Sequence, residues 1–397
     1  MKNVRKKVPS LLLIIVLVGF PQISESIFTP ALPSISSNMQ VSAATAQLTM
    51  SIYFVAFAIG VLFWGQLSDR IGRRPAMLWG IIFYLIGNVS LLVSWRFDLL
   101  LLSRFVQAFG ASVGSVVTQT IMRESFDGIT GAKVFSKVGA AMALSPAFGP
   151  LIGGLVENYL GYKNIFSTLI VMSVAVLLYA LYRLPETQAE SVVEPVSLFK
   201  VCYKLLRDPT VLVYGLLIGG INGILFGYYS EAPFIFMKHF DFTSVQYGSL
   251  GITLALASII GAIIVNYSVN FVRSETIALG GLAFSVISSI LLLVSLKFDK
   301  PIYLIIGFFM IFVGLNTTLP IALNLALKGY EDVIGSASGI FSFGYYLVVS
   351  LLTFVTSLIH NGTIRSLPIF MLVVSLVMLL SYFVVFLRTD QQEVLDD

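Results

Sequence analysis

The sequence predicts an all-α integral membrane protein, with twelve transmembrane helices in two pseudo-symmetric six-helix bundles. Three observations carry this expectation. Of the 397 residues, 57% are hydrophobic and only 11% charged, less than half the charge of an ordinary soluble domain at about 25%; mean hydropathy is +0.93. The apolar residues fall in runs long enough to cross a ~30 Å hydrocarbon core, which takes about 20 helical residues. One polar stretch then divides the runs six and six.

The runs lie near residues 10–31, 45–65, 76–94, 98–121, 132–157, 164–183, 210–232, 246–268, 275–296, 301–324, 334–359 and 366–387. The polar stretch, 184–208, holds Glu186, Glu190, Glu194, Lys200, Lys204 and Arg207. The expected division is therefore an N-terminal bundle over 1–183, a cytoplasmic linker over 184–208 and a C-terminal bundle over 209–397. Lys2, Arg5, Lys6 and Lys7 before the first run give it the look of a secretory signal. No A-x-A cleavage site follows, so a first transmembrane helix is expected instead.

Orientation comes from the basic residues, which concentrate in cytoplasmic loops. With the N-terminus inside, 17 of the 24 Lys and Arg face the cytoplasm and six face outward, leaving Arg104 within a span. Both termini are then cytoplasmic. One missed helix would scramble this alternation, so the asymmetry also supports the count of twelve.

Composition excludes several functions. The net charge of +4 resides in short loops, with no basic patch interleaved with aromatics, so no nucleic-acid partner is expected. A single cysteine, Cys202, allows neither an intrachain disulfide nor a cysteine metal site. The two histidines, His239 and His360, are far apart and in no ligand spacing. Phosphate-binding glycine loops and catalytic triads are missing, so neither a cofactor nor an enzyme activity is expected. Energy for transport would then come from an ion gradient. Six plus six spans around a polar linker is a layout of secondary transporters, which bind substrate near midplane between the halves.

The sharpest motif lies between spans two and three: Gly65-Gln-Leu-Ser-Asp69-Arg70-Ile-Gly72-Arg73-Arg74-Pro75. Glycines at both ends suit a tight turn. Asp69 can accept hydrogen bonds from a helix N-terminus or a neighbouring arginine. This pattern resembles the G-x-L-x-D-R-x-G-R-[KR] signature of the major facilitator superfamily. The resemblance extends along the chain. Leu102-Ser-Arg104-Phe-Val-Gln107-Ala-Phe-Gly110 is similar to the arginine-bearing fourth-helix motif of that family. Ser145-Pro146-Ala-Phe-Gly149-Pro150-Leu-Ile-Gly153-Gly154 resembles the fifth-helix motif of its drug:proton antiporters. In physical terms, Gly149 and Gly153 give a small-x-x-x-small face for close helix contact. Pro146 and Pro150 each remove a backbone donor and bend the helix, making it a candidate hinge seam.

Within the superfamily the chain is most similar to twelve-helix exporters of the Bcr/CflA, chloramphenicol-resistance and MdfA-like type; Ser230-Glu231-Ala-Pro233-Phe resembles the end of their seventh helix. One departure concerns the first helix, where relatives carry an acid four residues before a proline. Here that position is Ser26, and Glu25 stands five before Pro30, a rotation of about 100° on a helix. Glutamate before proline recurs in span seven as Glu231 and Pro233.

Ionisable groups at bilayer depth cost about 2.5–3.5 kcal/mol or more, so each needs a reason. Glu25 falls in the outer half of span one and is the candidate main proton and cation site. A carboxyl there can carry a proton that a cationic substrate displaces, which is antiport in its simplest form. Glu231 is expected near the outer surface, either reaching water or acting as a second acid at a cavity rim. Arg104, six residues into span four, is read as lying in the inner half, where it could reach the cytoplasm. The resemblance implies instead a cavity-facing arginine that tunes the proton site. Tyr53, Gln107, Asn222, Tyr228, Asn316 and Tyr345 are candidate cavity-lining residues, with interhelical hydrogen bonding as the alternative role for Asn and Gln.

The resemblance implies two bundles rocking about a central cavity, no cofactor or metal, and a single chain as the working unit in the bacterial inner membrane. It further implies proton-coupled export of small amphipathic or drug-like molecules, hence multidrug or chloramphenicol-type efflux and antibiotic resistance. A dedicated transporter of one metabolite or siderophore is the alternative, and a passive channel a further one.

Overall fold

The computed structural model describes residues 8–126, 128–188 and 198–396, and all regular structure among them is helical. The helices are α1 (Leu11–Ser26), α2 (Leu32–Asn38), α3 (Ala43–Ile71), α4 (Arg73–Val93), α5 (Phe97–Ser125), α6 (Gly128–Met142), α7 (Ser145–Leu160) and α8 (Lys163–Arg183). After the polar stretch follow α9 (Leu198–Arg207), α10 (Pro209–Pro233), α11 (Ser244–Ser249), α12 (Gly251–Ser268), α13 (Ser274–Ser295), α14 (Pro301–Leu325), α15 (Ile334–Ile359) and α16 (Ser366–Asp396). Among the described residues twelve stretches are long and apolar enough to cross a membrane, and each overlaps one of the twelve expected runs. The chain is a multi-pass membrane protein.

Prolines decide where these stretches break. The first runs on to Asn38, beyond the expected end near residue 31. Pro30 opens a single 3-10 turn, Thr29–Ala31, and Pro33 sits in the first turn of α2. At such positions the missing N–H is one that no helix would use. The fifth stretch is interrupted at Ala143 and Leu144, and α7 restarts with Pro146 in its first turn. What the sequence suggests as a bend at Pro146 is therefore a break, while Pro150 lies inside α7.

The loop between spans two and three is shorter than its glycines suggest. α3 continues to Ile71, so Gly65 is mid-helix with only Val116 beside it. The turn is made by Gly72 alone, at φ +101°, a conformation that glycine adopts without the Cβ penalty.

By contacts the chain divides into two compact units, Met1–Pro195 with Thr243–Gly248 and Val196–Phe242 with Ser249–Asp397. Each uses the same packing device between its third and fourth spans. A Cβ added at Gly110 of α5 would strike the backbone of Tyr84 and Gly80 on α4. In the second unit, Gly281 of α13 and Gly314 of α14 face each other's carbonyl oxygens. Ser285 Oγ adds a hydrogen bond to Ile311 O at 3.1 Å, and Thr318 Oγ1 one to Ala278 O at 3.0 Å. Lipid is as apolar as the side chains, so close backbone approach and such hydrogen bonds replace the hydrophobic drive between helices. In α3, Trp64 Nε1 donates to Phe109 O at 2.7 Å and ties that helix to α5.

Gly110→Ala is expected to cost about 1–3 kcal/mol, the usual price of overpacking, and to lower the unfolding temperature in detergent. Gly280→Ala, with nothing within 4 Å of the added carbon, should leave that temperature unchanged or raise it slightly.

Candidate functional site

The first unit is organised around Arg104, whose side chain is completely buried. It does not reach water at either end. Arg104 Nη1 points at Ser24 O, 3.5 Å away at the end of α1, and donates to Gln107 Oε1 one turn along α5. The guanidinium lies 4.2 Å from the ring centroid of Tyr53 on α3 and 4.6 Å from that of Phe28. This placement corrects the expected depth. Span four begins at the end of the bundle where span one finishes, so a residue early in α5 sits level with Glu25 and not in the opposite half.

A line of buried polar groups leads away from the guanidinium. Gln107 Nε2 donates to Asn88 Oδ1 on α4. Asn88 Nδ2 donates to Ser173 Oγ on α8 at 2.7 Å, and Ser173 Oγ donates to Leu169 O at 2.6 Å. Arg104, Gln107, Asn88 and Ser173 are all fully buried. Charged hydrogen bonds contribute about 1.5–3 kcal/mol and desolvated cation–π contacts about 2 kcal/mol. Together these offset a burial cost of several kcal/mol for the charge. Even so, Arg104 Nε and Nη2 and the Tyr53 hydroxyl have no hydrogen-bond partner among the described residues.

Glu25 stands in the last turn of α1, buried beside Ser24. Among the described residues its carboxyl makes no hydrogen bond and no ion pair within 4.0 Å, although Arg104 is the charge that acts on it. The position of this turn is fixed from α7. A Cβ on Gly149 would collide with Ser26, and one on Gly153 with the backbone of Ile27. These two glycines thus seat α7 on the two residues after Glu25. Gly154 meets the backbone of Ser244, within the same compact unit.

A second polar cluster closes the other end of this unit. Arg73 Nη2 donates to Glu124 Oε1 at 2.7 Å, Nε donates to the same oxygen at 3.0 Å, and Nη1 donates to Ser68 Oγ at 2.9 Å and to Asp69. Arg70 is exposed. It is Glu186, not Asp69, that takes up the start of α4. Its carboxylate accepts from the backbone N–H of Arg73 at 2.9 Å and of Arg74 at 3.1 Å, where the helix dipole favours an anion. Thr187 Oγ1 donates to Glu124 at 3.1 Å and Gln188 Nε2 to Asp69 O at 2.7 Å. The chain leaving α8 is thereby fastened across the Gly72 turn. Burial alone would raise the Glu186 carboxyl, but the backbone N–H groups of Gln188, Arg73, Arg74 and Thr187 hold it below the usual carboxylate range.

In the second unit Glu231 is buried and paired. His360 Nδ1 lies 2.8 and 2.9 Å from its two oxygens, and Ser366 Oγ donates to Oε1 at 3.1 Å. With 1% exposure the glutamate does not reach water. The cavity candidates Asn222, Tyr228, Asn316 and Tyr345 belong to this second unit. Asn222 and Asn316 donate to Ile218 O and Phe312 O of their own helices, each at 2.8 Å. Tyr228 packs on Phe308 and Phe312 at 5.2 and 5.7 Å, and Tyr345 on Tyr346 at 4.5 Å. Within the first unit, Tyr53 and Gln107 meet the arginine. Residues of these clusters that the sequence reading did not single out as site candidates are Phe28, Asn88, Ser173, Glu124, Glu186 and His360. Phe28 stands three positions after Glu25, and Asn88 is a lone amide in an apolar span; both were available as signals.

The family model described as Major Facilitator Superfamily matches residues 14–353. The chain belongs to the major facilitator superfamily. A protein of this superfamily is a transporter and not an enzyme. An uncharacterized transporter of Rickettsia bellii is 33% identical over 381 residues, 93% of this chain and 94% of the relative. A chloramphenicol resistance protein of Pseudomonas aeruginosa is 28% identical over 363 residues, 89% of this chain and 84% of the relative. Among solved structures, a D-xylose-proton symporter superposes with a TM-score of 0.74, covering 93% of this chain and 96% of that one at 13% identity. At that identity the likeness concerns the facilitator fold alone.

The Glu186 fastening makes a pH prediction. A carboxylate whose folded-state value is depressed contributes stability above its unfolded value, near 4.3, and loses it as pH falls through the folded one. Wild type should therefore lose a small increment of thermal stability below about pH 4 that Glu186→Gln lacks throughout. Equal pH profiles for the two proteins would show that the fastening adds nothing.

Proposed function

We propose that this facilitator is a proton-coupled exporter of small amphipathic molecules, of the multidrug or chloramphenicol type. It works as a single chain by alternating access, in a bacterial inner membrane with both termini cytoplasmic. The observation that carries the reading is the juxtaposition in the first unit of a buried carboxyl and a buried guanidinium with free donors. Among the described residues Glu25 makes no hydrogen bond or ion pair within 4.0 Å, although Arg104 acts on it, and Arg104 Nε and Nη2 have no hydrogen-bond partner. Structural ion pairs are closed on themselves; this pair is not.

The chemistry follows from that openness. Glu25 holds a proton when no cargo is present. A cationic cargo favours the carboxylate and releases the proton, so each excludes the other. A neutral cargo with acceptor oxygens can take the unused guanidinium donors instead, and the rings of Phe28 and Tyr53 offer apolar contact to either. The line through Gln107, Asn88 and Ser173 holds the guanidinium in place while cargo and proton alternate. The chloramphenicol resistance protein among the relatives supports the cargo class, and the basic-residue asymmetry supports the orientation.

The test is uptake into inverted membrane vesicles with an imposed pH gradient, using tetraphenylphosphonium and chloramphenicol as cargo. Both should accumulate in wild type. Glu25→Gln should lose proton-driven uptake of the cation by about tenfold or more, since one tenfold is about 1.4 kcal/mol of differential binding. Arg104→Ala should lose both cargoes while remaining folded. Full uphill transport by Glu25→Gln, or accumulation of neither cargo by an inserted wild type, would overturn the proposal.

A further inference from the structure

The short helix α9 divides its surface three ways. Val201 and Leu205, one turn apart, are buried against Val211 of α10, Ala337 of α15 and Tyr330. Phe199, Tyr203 and Leu206 form a second face and are 80%, 50% and 63% exposed. Lys200, Lys204 and Arg207 form the third, all exposed and adjoining the apolar face. At about 100° per residue, the docked, apolar and basic faces follow one another around the helix without mixing.

The docked face fixes where α9 lies. Val211 is in the first turn of α10 and Ala337 in the first turn of α15, so α9 sits at the level where these spans begin. Its attachment is rigid. Asp208 caps α10 by accepting from Thr210 N at 3.0 Å and Val211 N at 3.3 Å, and it accepts from Tyr330 Oη at 3.0 Å. Lys204 Nζ lies 4.4 Å from the Tyr330 ring centroid. Burial, then the bond to Asp208, pushes the Tyr330 phenol up to about 12, so it stays a donor at any ordinary pH. The helix is therefore held at the starts of α10 and α15 while two of its faces are exposed.

We propose that α9 is a binding site for anionic phospholipid, with acyl chain against Phe199, Tyr203 and Leu206 and headgroup phosphate held by Lys200, Lys204 and Arg207. The occupant follows from the pairing of faces. An apolar strip alone would fit any lipid chain, and a basic strip alone would fit any soluble anion. An apolar strip bordered along its length by three cations, at the level of helix starts, matches a molecule that is apolar on one side and anionic on the other. Interfacial helices bind in this way through apolar burial and attraction to anionic lipid, and juxtamembrane basic residues each add to that attraction. The site lies outside the Glu25 and Arg104 centre and does not depend on which cargo the protein carries.

The chain's single cysteine supplies the probe. Cys202 lies on α9 between the docked and apolar faces and is free and partly exposed, so a nitroxide placed there reports this helix alone. Full-length protein so labelled is placed in nanodiscs of phosphatidylcholine with or without phosphatidylglycerol. Phosphatidylglycerol should immobilise the label and raise its collision rate with oxygen relative to a water-soluble nickel reagent. Native mass spectrometry of unlabelled protein should show retained phosphatidylglycerol falling by about tenfold or more in the variant Lys200→Gln/Lys204→Gln/Arg207→Gln. Lys200→Arg/Lys204→Arg, which keeps the charge, should retain it and show that the loss is not misfolding. Equal retention by wild type and the glutamine variant would overturn the proposal. So would equal retention of phosphatidylcholine and phosphatidylglycerol by wild type, which would leave only an apolar annulus. Displacement of the effect by inorganic phosphate at millimolar concentration would also overturn it, by assigning the cations to a soluble anion.

Discussion

A guanidinium sealed inside an apolar bundle is the constraint from which most of the first unit follows. Its transfer from water costs several kcal/mol even after the protein relaxes, and among the described residues no carboxylate closes on it to form an ion pair. Burial is sustained by distributing the charge over weaker partners: a carbonyl at the end of α1, an amide on α5, and the faces of Phe28 and Tyr53. Apart from Gln107, one turn along α5 itself, these partners come from other segments of the unit. α1 must end where its carbonyl is free, α3 must present a ring, and α4 and α8 must supply Asn88 and Ser173 to satisfy Gln107 in turn. An unfinished set of donors remains, Arg104 Nε and Nη2, and Arg104 is the charge that acts on the Glu25 carboxyl.

Small residues make such an arrangement buildable. The polar line crosses from α5 to α4 at the level of Gly87, where an added Cβ would strike the backbone of Gln107. Without that close approach the two amides could not meet. At the end of α1, Gly149 and Gly153 do for Ser26 and Ile27 what Gly87 does for Gln107. The prolines work in the other direction, by marking where helices stop and restart. Pro30 and Pro33 turn the chain just beyond Glu25, and Pro146 begins α7 afresh, so the helix that seats α1 is set separately from α6.

Much of this was legible in the sequence, and the division between what was and was not has a physical basis. Twelve spans and a polar linker follow from hydropathy, because the hydrocarbon core imposes one length and one composition on every crossing. Glu25, Arg104 and Glu231 stood out because charge at such depth needs a reason. Tyr53 and Gln107 were legible beside Arg104, but the groups further along were not, since they come from distant segments: Ser173 is 69 positions from Arg104, and His360 is 129 from Glu231. A period-based reading also gives the wrong end of a bundle when alternation of spans is not carried through, which is how Arg104 was assigned to the opposite half. Glu186 was hidden for another reason. Its role is to accept from the backbone of α4, and backbone groups carry no residue signature.

Proton release on cargo binding tests the central claim most directly. Purified protein in weakly buffered detergent is mixed with tetraphenylphosphonium over a series of starting pH values, and the pH change is followed. The account predicts a release that wild type shows and Glu25→Gln lacks, while Glu231→Gln still shows it. Undiminished release from Glu25→Gln would place the exchanged proton elsewhere and contradict the assignment of the Arg104 centre as the coupling site.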